Sequence, residues 1–394
     1  MTEYYVWLQM CLGAGSAKLH RVLGAFETPK NLYDSKNKKH RMFTDTEQEK
    51  FSHIALSEAL KTVETCDKKG IKIITPESEN YPKRLLNMVD PPIVLYYKGE
   101  FPHFDDEVAV AMVGARRPTP LGIKSAISLS ARLSRAGCLV ISGGAYGIDK
   151  YSHLGTLATG SKAVCVLPCG LDIRYLVSNT EMYANIEKRG CLISEYPPNT
   201  EVTKSAFKAR NRIMSALALG VVIIEAGNPS GTLMTANHAA EQGKDVFVIP
   251  GPIGEANYLG SNKLISDGAR TLLSAEDIVR EYAPTFPHKL NLKDIHTPFS
   301  EDTMRRLNVA IGGKPQKQNE NVEKTPQKVK ITPKNEELSD KTKAVYEALG
   351  NEPTAMDAVV MRTKLSGGEV LTCLTELEIL GYIECLPGNR YEIK

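Results

Sequence analysis

The sequence contains no apolar run approaching the ~20 residues that a membrane-spanning helix requires, so we expect no membrane segment. Its first residues, MTEYYVWLQM, lack the basic start and long apolar stretch of a secretory signal peptide. The eight cysteines are scattered, and the one close pair, Cys165 and Cys169, is interpreted as two buried thiols and not as metal ligands. Free thiols indicate a reducing cytoplasm, and we predict neither a metal nor a cofactor.

A strong charge imbalance is also missing, because the 394 residues carry a formal net charge of only +3. The total charge therefore does not indicate a nucleic-acid-binding protein, and only the location of the charges can do so. The length allows two or three domains, and the apolar fraction of 42% suits a globular protein with a substantial core.

The most informative stretch lies between residues 108 and 149. Val108–Val113 is an apolar run of strand type, and a glycine turn with two arginines follows it. A helical pattern over Leu121–Arg135 and a second apolar strand, Cys138–Ile141, complete one βαβ unit. The second strand also ends at glycines, namely Gly143, Gly144 and Gly147.

The same alternation continues to Tyr282, which predicts a doubly wound α/β domain whose parallel sheet is covered on both faces. The remaining predicted strands are Ala163–Leu167, Cys191–Ser194, Val221–Ile224, Val246–Ile249 and Thr271–Leu273. In such a sheet the loops after the strands meet over a crevice, where glycine amides and helix N-termini favour anions. Two glycine loops in succession, one carrying Arg116, therefore predict a phosphate site.

We divide the chain into four segments. They are a helical domain (1–65), the sheet domain (66–285), a flexible basic linker (286–337) and a winged-helix-like domain (338–394). The linker assignment rests on lost periodicity and on Gly313–Lys334, whose net charge is +4. In the helical domain, the turn Leu12–Gly15 resembles a helix-hairpin-helix turn for a DNA phosphate, although a plain tight connection between two helices is the simpler interpretation.

The C-terminal segment has the pattern of three helices and a hairpin, which is typical of a winged helix. The third helix of a DNA-binding winged helix enters the major groove and carries cations. Here it carries Glu369, Glu376 and Glu378 and neither lysine nor arginine. We therefore expect this domain to have a protein-contact or regulatory role and not to bind duplex DNA.

The densest basic segment is Lys204–Arg212, with four cations and no acid in nine residues at a helix start. Cations at this end of a helix oppose the helix dipole, so an anion should offset them. The alternative is a solvated helix terminus. Further phosphate contacts are predicted at two more strand-end turns, which carry Ser230, Gly231 and Thr232, and Lys263.

Three aromatic residues lie beside these turns, and each could either stack a base or belong to the core: Tyr146, Tyr175 and Phe207. Asp149 is expected to cap its helix or to brace an arginine, and Glu225 to orient the basic residues. The dinucleotide pattern G-x-G-x-x-G, the P-loop and the G-x-S-x-G elbow of hydrolases are all missing. These absences argue against a dinucleotide-binding enzyme, a P-loop ATPase and an α/β-hydrolase.

Eight motifs, in order, resemble the DNA-processing protein A family, also called DprA or Smf. They are VGARRP, SGGAYGID, CGLD, SEYPP, FKARNRI, SGTLMTA, VFVIPG and GSNKLISDGA, within residues 107–275. The resemblance implies an extended Rossmann-like domain that binds single-stranded DNA, a homodimer formed through that domain, and loading of a RecA-type recombinase during natural transformation. It also implies that the DNA pocket is lined by Arg116, Lys204, Arg210 and Arg212.

One departure from the family concerns Tyr175-Leu176-Val177, where relatives commonly have Tyr-Pro and a nearby lysine. One cationic contact is thus missing, and Lys208 is the candidate to replace it. A rival resemblance is to nucleotide-processing hydrolases of the lysine-decarboxylase-like group, whose motif is P-G-G-x-G-T-x-x-E. Thr235 stands at the position of their catalytic glutamate, so hydrolysis is kept only as the alternative.

The predicted fold class is α/β, with an extended Rossmann-like doubly wound parallel sheet, a small N-terminal helical domain and a C-terminal winged-helix domain. The predicted protein is cytoplasmic and non-enzymatic, and it protects single-stranded DNA and delivers it to a RecA-type recombinase. The expected DNA-binding residues are Arg116, Gly143, Gly144, Gly147, Lys204, Phe207, Lys208, Arg210, Asn211, Arg212, Ser230, Gly231, Thr232 and Lys263.

Overall fold

The computed structural model describes most of the chain in two units. The described residues are 1–310, 339–349, 354–379, 382–386 and 390–393. The chain divides into Met1–Gln316 and Lys317–Lys394, and each unit has a hydrophobic core of its own. Among the described helices, none is long and apolar enough to span a lipid bilayer.

The first unit is built on a nine-stranded sheet with the order β1-β2-β6-β5-β4-β3-β7-β8-β9. The strands are β1 (Lys72–Ile74), β2 (Leu95–Gly99), β3 (Ala109–Gly114), β4 (Leu139–Ser142), β5 (Ala163–Leu167), β6 (Cys191–Ser194), β7 (Gly220–Ile224), β8 (Asp245–Val248) and β9 (Arg270–Thr271). The pairings from β6 to β9 are parallel, and β1 and β2 form an antiparallel edge beside β6.

The strand β3 lies at the centre of the parallel part of the sheet and is buried on both faces. Its residue Val110 is paired with Val140 of β4 on one side and with Gly220 of β7 on the other. Ala111 contributes to one core cluster, while Val110 and Met112 contribute to another. Alternate residues of an apolar run therefore fill two separate cores, as a sheet covered on both faces requires. The predicted α/β fold class is confirmed.

The order of the strands reverses between β3 and β7. From β3 the chain builds outward through β4, β5 and β6, and then it crosses back to place β7, β8 and β9 on the other side. The loops that leave β3 and β7 therefore diverge to opposite faces, and a crevice opens between them at the carboxyl ends of the strands.

Fifteen helices are described in the first unit. They are α1 (Thr2–Leu12), α2 (Leu19–Phe26), α3 (Pro29–Asp34), α4 (Asp45–His53), α5 (Leu56–Lys68), α6 (Lys83–Leu86), α7 (Pro120–Arg135), α8 (Ile148–Ala158), α9 (Thr180–Arg189), α10 (Lys204–Leu217), α11 (Gly231–Glu241), α12 (Leu259–Ser266), α13 (Ala275–Tyr282), α14 (Leu292–His296) and α15 (Glu301–Ala310). Helix α10 begins at Lys204, the first residue of the basic segment that the sequence placed at a helix start. The Thr203 hydroxyl caps it by accepting from the backbone amide of Ala206 at 3.3 Å.

The N-terminal helices share a core with one side of the sheet. Trp7 and Leu8 of α1 are fully buried in the same cluster as Leu167 of β5 and Leu192 of β6. These helices thus cover the β5–β6 side of the sheet. The boundary that the sequence placed at residue 65 stays a prediction.

The expectation of a flexible linker from residue 286 onward is wrong for residues 286–310. This segment contains α14 and α15, and Leu307 of α15 is 6% exposed where it packs with Ile127 and Ala158. The helices are short and mostly polar, so their few apolar contacts give no clear periodicity in the sequence. The remainder of the predicted linker, residues 311–337, lies outside the described residues.

The second unit has the predicted winged-helix pattern. Its elements are α16 (Asp340–Ala348), β10 (Thr354–Ala355), α17 (Met356–Thr363), α18 (Gly367–Ile379), β11 (Ile383–Leu386) and β12 (Arg390–Ile393), with the strand order β10-β12-β11. Two acids of α18 are held within the unit. Glu369 forms an ion pair with Lys341 at 2.8 Å, and Glu376 accepts a hydrogen bond from the Thr342 hydroxyl at 2.6 Å. The side chain of Glu378 lies outside the described residues.

We predict that Leu307→Ala lowers the free energy of unfolding of the first unit by about 2–3 kcal/mol, because a buried leucine leaves a cavity. Urea unfolding followed by the fluorescence of Trp7, the single tryptophan, measures this. Met304→Ala on the same helix is the control: Met304 is 44% exposed, and we expect a change below about 0.5 kcal/mol. Equal effects of the two substitutions would contradict the docking of α15.

Candidate functional site

A pocket of about 550 Å³ lies in the crevice where the strand order reverses. Three segments contribute most of its lining: the end of β3 with its turn (Val113–Arg117), the first turns of α10, and the start of α11. The fold therefore places two basic segments beside the glycine turn at the start of α11. One is the arginine turn, which carries Arg116 and Arg117, and the other is the basic segment that begins at Lys204.

The structure brings together nine of the residues that the sequence proposed for this site. They are Arg116, Lys204, Phe207, Lys208, Arg210, Asn211, Ser230, Gly231 and Thr232. Five others do not line the pocket: Gly143, Gly144, Gly147, Arg212 and Lys263.

Four exposed cations surround the pocket without carboxylate partners. Arg116 and Arg117 belong to the turn after β3, and Lys204 and Lys208 lie one turn apart on α10. Within the described part of the chain, none of the four forms an ion pair. Like charges held this close destabilise one another, so the arrangement favours binding of an anion.

The guanidinium of Arg116 is held by an aromatic side chain. Its central carbon lies 4.8 Å from the ring centroid of Phe207, a cation–π contact. The Phe207 ring in turn lies 6.1 Å from the ring of Tyr175. Phe207 is thus neither plain core nor a free stacking surface, because one part of its ring supports Arg116. The stack fixes the guanidinium while its N–H groups remain available to a ligand.

The N-terminus of α11 supplies neutral donors to the same pocket. Ser230 is its N-cap, and the amides of Gly231 and Thr232 belong to the first turn, where no intrahelical acceptor exists. The Ser230 hydroxyl is buried and has no hydrogen-bond partner among the described residues. Amides and a hydroxyl at the positive end of a helix dipole are suited to a phosphate oxygen.

Arg210 forms the floor of the pocket and is not a free cation. It is 4% exposed, donates to the Val166 carbonyl at 3.1 Å and lies 3.7 Å from the Asp149 carboxylate. This contact agrees with one of the two interpretations of Asp149, that it braces an arginine.

Burial raises the pKa of Asp149, and the nearby Arg210 opposes that rise. Burial, with Arg210 close by, lowers the pKa of His153 to about 3, so this imidazole is neutral at pH 7.

The glycines after β4 have a packing role that the sequence did not suggest. The expectation that their amides hold phosphate stays a prediction, and their missing side chains make room for neighbouring groups. A Cβ at Gly143 would lie 1.1 Å from Nη1 of Arg210, and one at Gly147 would lie 2.2 Å from the Ala115 carbonyl oxygen. A Cβ at Gly144 would lie 2.6 Å from the Cys165 sulfur. Gly144 and Gly147 also have positive φ angles, which favour glycine, whereas a Cβ at Gly143 would displace the buried Arg210 guanidinium.

The expectation that Arg212 neutralises a phosphate is corrected by its surroundings. The side chain is 4% exposed and forms two bonds of 2.7 Å to the Glu195 carboxylate, with Asp90 at 3.1 Å. Its charge is therefore already neutralised inside the protein. Glu195 also accepts from the backbone amide of Gly15 at 2.9 Å. In the Leu12–Gly15 turn, that amide thus binds an internal carboxylate. This agrees with the simpler interpretation, in which the turn only connects two helices.

Two further expectations change. Lys263 lies outside the pocket lining and its ammonium is paired with Asp267 on the same helix. Glu225 does not orient the basic residues through direct contacts. It accepts from the backbone amide of Thr119 at 2.9 Å, from Asn257 at 3.2 Å and from the Tyr258 hydroxyl at 3.0 Å.

Sequence reasoning missed two residues of the site. Arg117 lines the pocket as an exposed cation, and its position beside Arg116 was a sufficient signal. Asn257 also lines the pocket and donates to the Arg117 carbonyl at 3.1 Å. Nothing in the local sequence marks Asn257, because it reaches the arginine turn from a loop 140 residues away. Within the described ranges, no cluster of histidine, cysteine and carboxylate groups could hold a metal ion.

Comparison with known proteins agrees with these features. Residues 72–283 match the family described as DNA recombination-mediator protein A, and residues 330–389 match the DprA winged helix domain. The chain is 30% identical over 409 residues to Protein Smf of Synechocystis sp., which covers 99% of this chain and 98% of that protein. It is 36% identical over 212 residues to the DNA processing protein DprA of Bacillus subtilis, which covers 54% and 71% respectively.

A solved structure is also similar. The X-ray structure of DNA processing protein A from Streptococcus pneumoniae shares 30% sequence identity with this chain and superposes with a TM-score of 0.63. The match covers 71% of this chain and 98% of that one.

We predict that Gly143→Ala destabilises the first unit by about 2 kcal/mol or more, because the new methyl group would overlap the Arg210 guanidinium. Gly231→Ala is the matched control, since a Cβ there meets no heavy atom within 4 Å and its backbone is helical. We expect Gly231→Ala to leave the stability unchanged or to raise it by up to about 1 kcal/mol. Urea unfolding measures both, and a tolerated Gly143→Ala would refute the assigned packing.

Proposed function

The chain belongs to the DNA recombination-mediator protein A family, and on that premise we propose that its pocket binds the backbone of single-stranded DNA. The observation that carries the proposal is the group of four exposed, unpaired cations around the N-terminus of α11: Arg116, Arg117, Lys204 and Lys208. A phosphate ester can accept from guanidinium, ammonium, hydroxyl and amide donors at once, and all four donor types line this pocket.

The shape of the pocket favours a single strand over a duplex. A volume of about 550 Å³ accommodates a short phosphate ribbon with bases turned outward, but not a paired double helix. Half-buried Tyr175 and exposed Tyr146 offer ring surface near the same loops. Stacking of a base on such a ring contributes about 1–3 kcal/mol without sequence preference. The protein is therefore expected to bind single strands of many sequences.

The cellular role follows from the family. We propose that the protein protects incoming single-stranded DNA in the cytoplasm, acts as a homodimer through the sheet domain and passes the strand to a RecA-type recombinase during DNA uptake. The role is non-enzymatic, and one residue supports this directly. Thr235 lines the pocket where the rival hydrolases have a catalytic glutamate, and a threonine cannot replace a carboxylate as general base. Release of free base from a nucleoside monophosphate would revive the hydrolase alternative.

We predict that Lys204→Ala combined with Lys208→Ala weakens binding of oligothymidine and makes it less dependent on salt. With about four phosphates neutralised, the wild-type slope of log affinity against log salt should be about −3, and the double variant should flatten it by about 1.4. Fluorescence anisotropy at several salt concentrations measures the slope. Lys263→Ala is the control, because Lys263 is paired with Asp267 and should leave the slope unchanged. An unchanged slope in the double variant would remove α10 from the interface.

We also predict that oligothymidine binds at least tenfold more tightly than a blunt duplex of the same length and charge per strand, because only the single strand fits the pocket. A gel-shift titration of both ligands at two salt concentrations measures the difference. Equal affinities would mean that a general electrostatic surface, and not the pocket, carries the binding.

A further inference from the structure

A second basic surface lies on the N-terminal helices. The loop between α3 and α4 has the sequence SKNKKHR at residues 35–41, with four lysine or arginine side chains and no acid. One of them, Lys39, is paired with Asp45 at 2.9 Å. Within the described residues, the other three form no ion pair: Lys36, Lys38 and Arg41. We refer to residues 35–41 as the basic loop.

Aromatic contacts hold the basic loop in one shape. The Lys36 ammonium lies 4.1 Å from the ring centroid of Tyr33. The His40 ring packs edge-on against Phe26 at 4.9 Å and lies 6.4 Å from Phe43, and its backbone carbonyl accepts from Gln48 at 2.9 Å. Because the loop is already ordered, an anion that binds it loses less conformational entropy than one that orders a free tail.

Two contacts of the Gly15–Lys18 turn lie between this loop and helix α10. A Cβ at Gly15 would lie 3.8 Å from the Cβ of Ala209, which directly follows Lys208 on α10. Farther along the same connection, the Lys18 ammonium lies 5.7 Å from the Phe43 ring, next to the basic loop. The Gly15–Lys18 turn therefore contacts α10 at one end and the side chains beside the basic loop at the other, within one compact unit, and the Lys18 ammonium is paired with Glu47.

We propose that a single strand held in the pocket continues over the Gly15–Lys18 turn and that its later phosphates contact Lys36, Lys38 and Arg41. The inference rests on the proposed function of the pocket and adds a second segment to it. A linear polyanion is the occupant that fits, because it alone can satisfy two separate groups of unpaired cations on one compact unit. The basic loop contributes phosphate contacts and no sequence preference.

The test is the length dependence of binding in a triple variant of the full chain, Lys36→Gln with Lys38→Gln and Arg41→Gln. Single-strand sites commonly cover about 4–16 nucleotides, so oligothymidines of about 4 and about 16 nucleotides are compared. We expect the triple variant to bind the short strand as the wild type does. For the long strand we expect weaker binding and a salt slope flatter by about 2, from three lost phosphate contacts.

A matched control removes the same charge elsewhere: Lys61→Gln with Lys188→Gln and Lys293→Gln, three exposed lysines on α5, α9 and α14 that form no ion pair within the described residues. The control should keep the wild-type slope on both strands, and all variants should unfold at the wild-type temperature. The proposal is overturned if the triple variant keeps the wild-type salt slope on the long strand. It is also overturned if the control variant loses as much affinity for that strand as the triple variant does. The Lys204→Ala and Lys208→Ala variant separates the two hypotheses, because its failure to weaken either strand overturns the proposed function of the pocket itself.

Discussion

The arrangement of the site depends on the reversal of strand order between β3 and β7. This reversal sends the loops after the two strands to opposite faces, so that a crevice remains open at the centre of the sheet. The arginine turn occupies one side of the crevice, and the start of α11 occupies the other. Helix α10 completes the pocket although it precedes β7 in the chain, since it packs over the same carboxyl edge.

Helix α10 carries two kinds of cation: arginines that are buried and paired with carboxylates, and lysines that are exposed and, among the described residues, unpaired. Arg210 and Arg212 point inward, where Asp149 and Glu195 neutralise them, while Lys204 and Lys208, nearer the start of the helix, remain exposed. An arginine is better suited to the buried positions, because its guanidinium can make several directed bonds to carboxylate and carbonyl oxygens. Removing one partner of such a pair would leave an uncompensated buried charge. These internal pairs therefore hold in place the helix that presents the free lysines.

The N-terminal helices are part of this support. Glu195 joins the Gly15 amide to Arg212, so the first turn of the chain and the pocket helix share one buried carboxylate. In this way the helices affect the geometry of the pocket although they do not line it.

From the residues alone we predicted the α/β fold, the positions of most strands, the winged helix and the clustering of cations at strand ends. Apolar runs and glycine turns are local signals, and Ala163–Leu167 and Cys191–Ser194 were predicted with their observed bounds. Tertiary contacts set which cations are free and which residues line the site, because Arg212 meets Glu195 from 17 residues away and Asn257 meets Arg117 from 140 residues away. Tertiary packing also explains the glycine at position 143, because the Arg210 guanidinium occupies the space that a Cβ would need. Charge pairing and close packing are set by contacts distant in sequence, which no local pattern encodes.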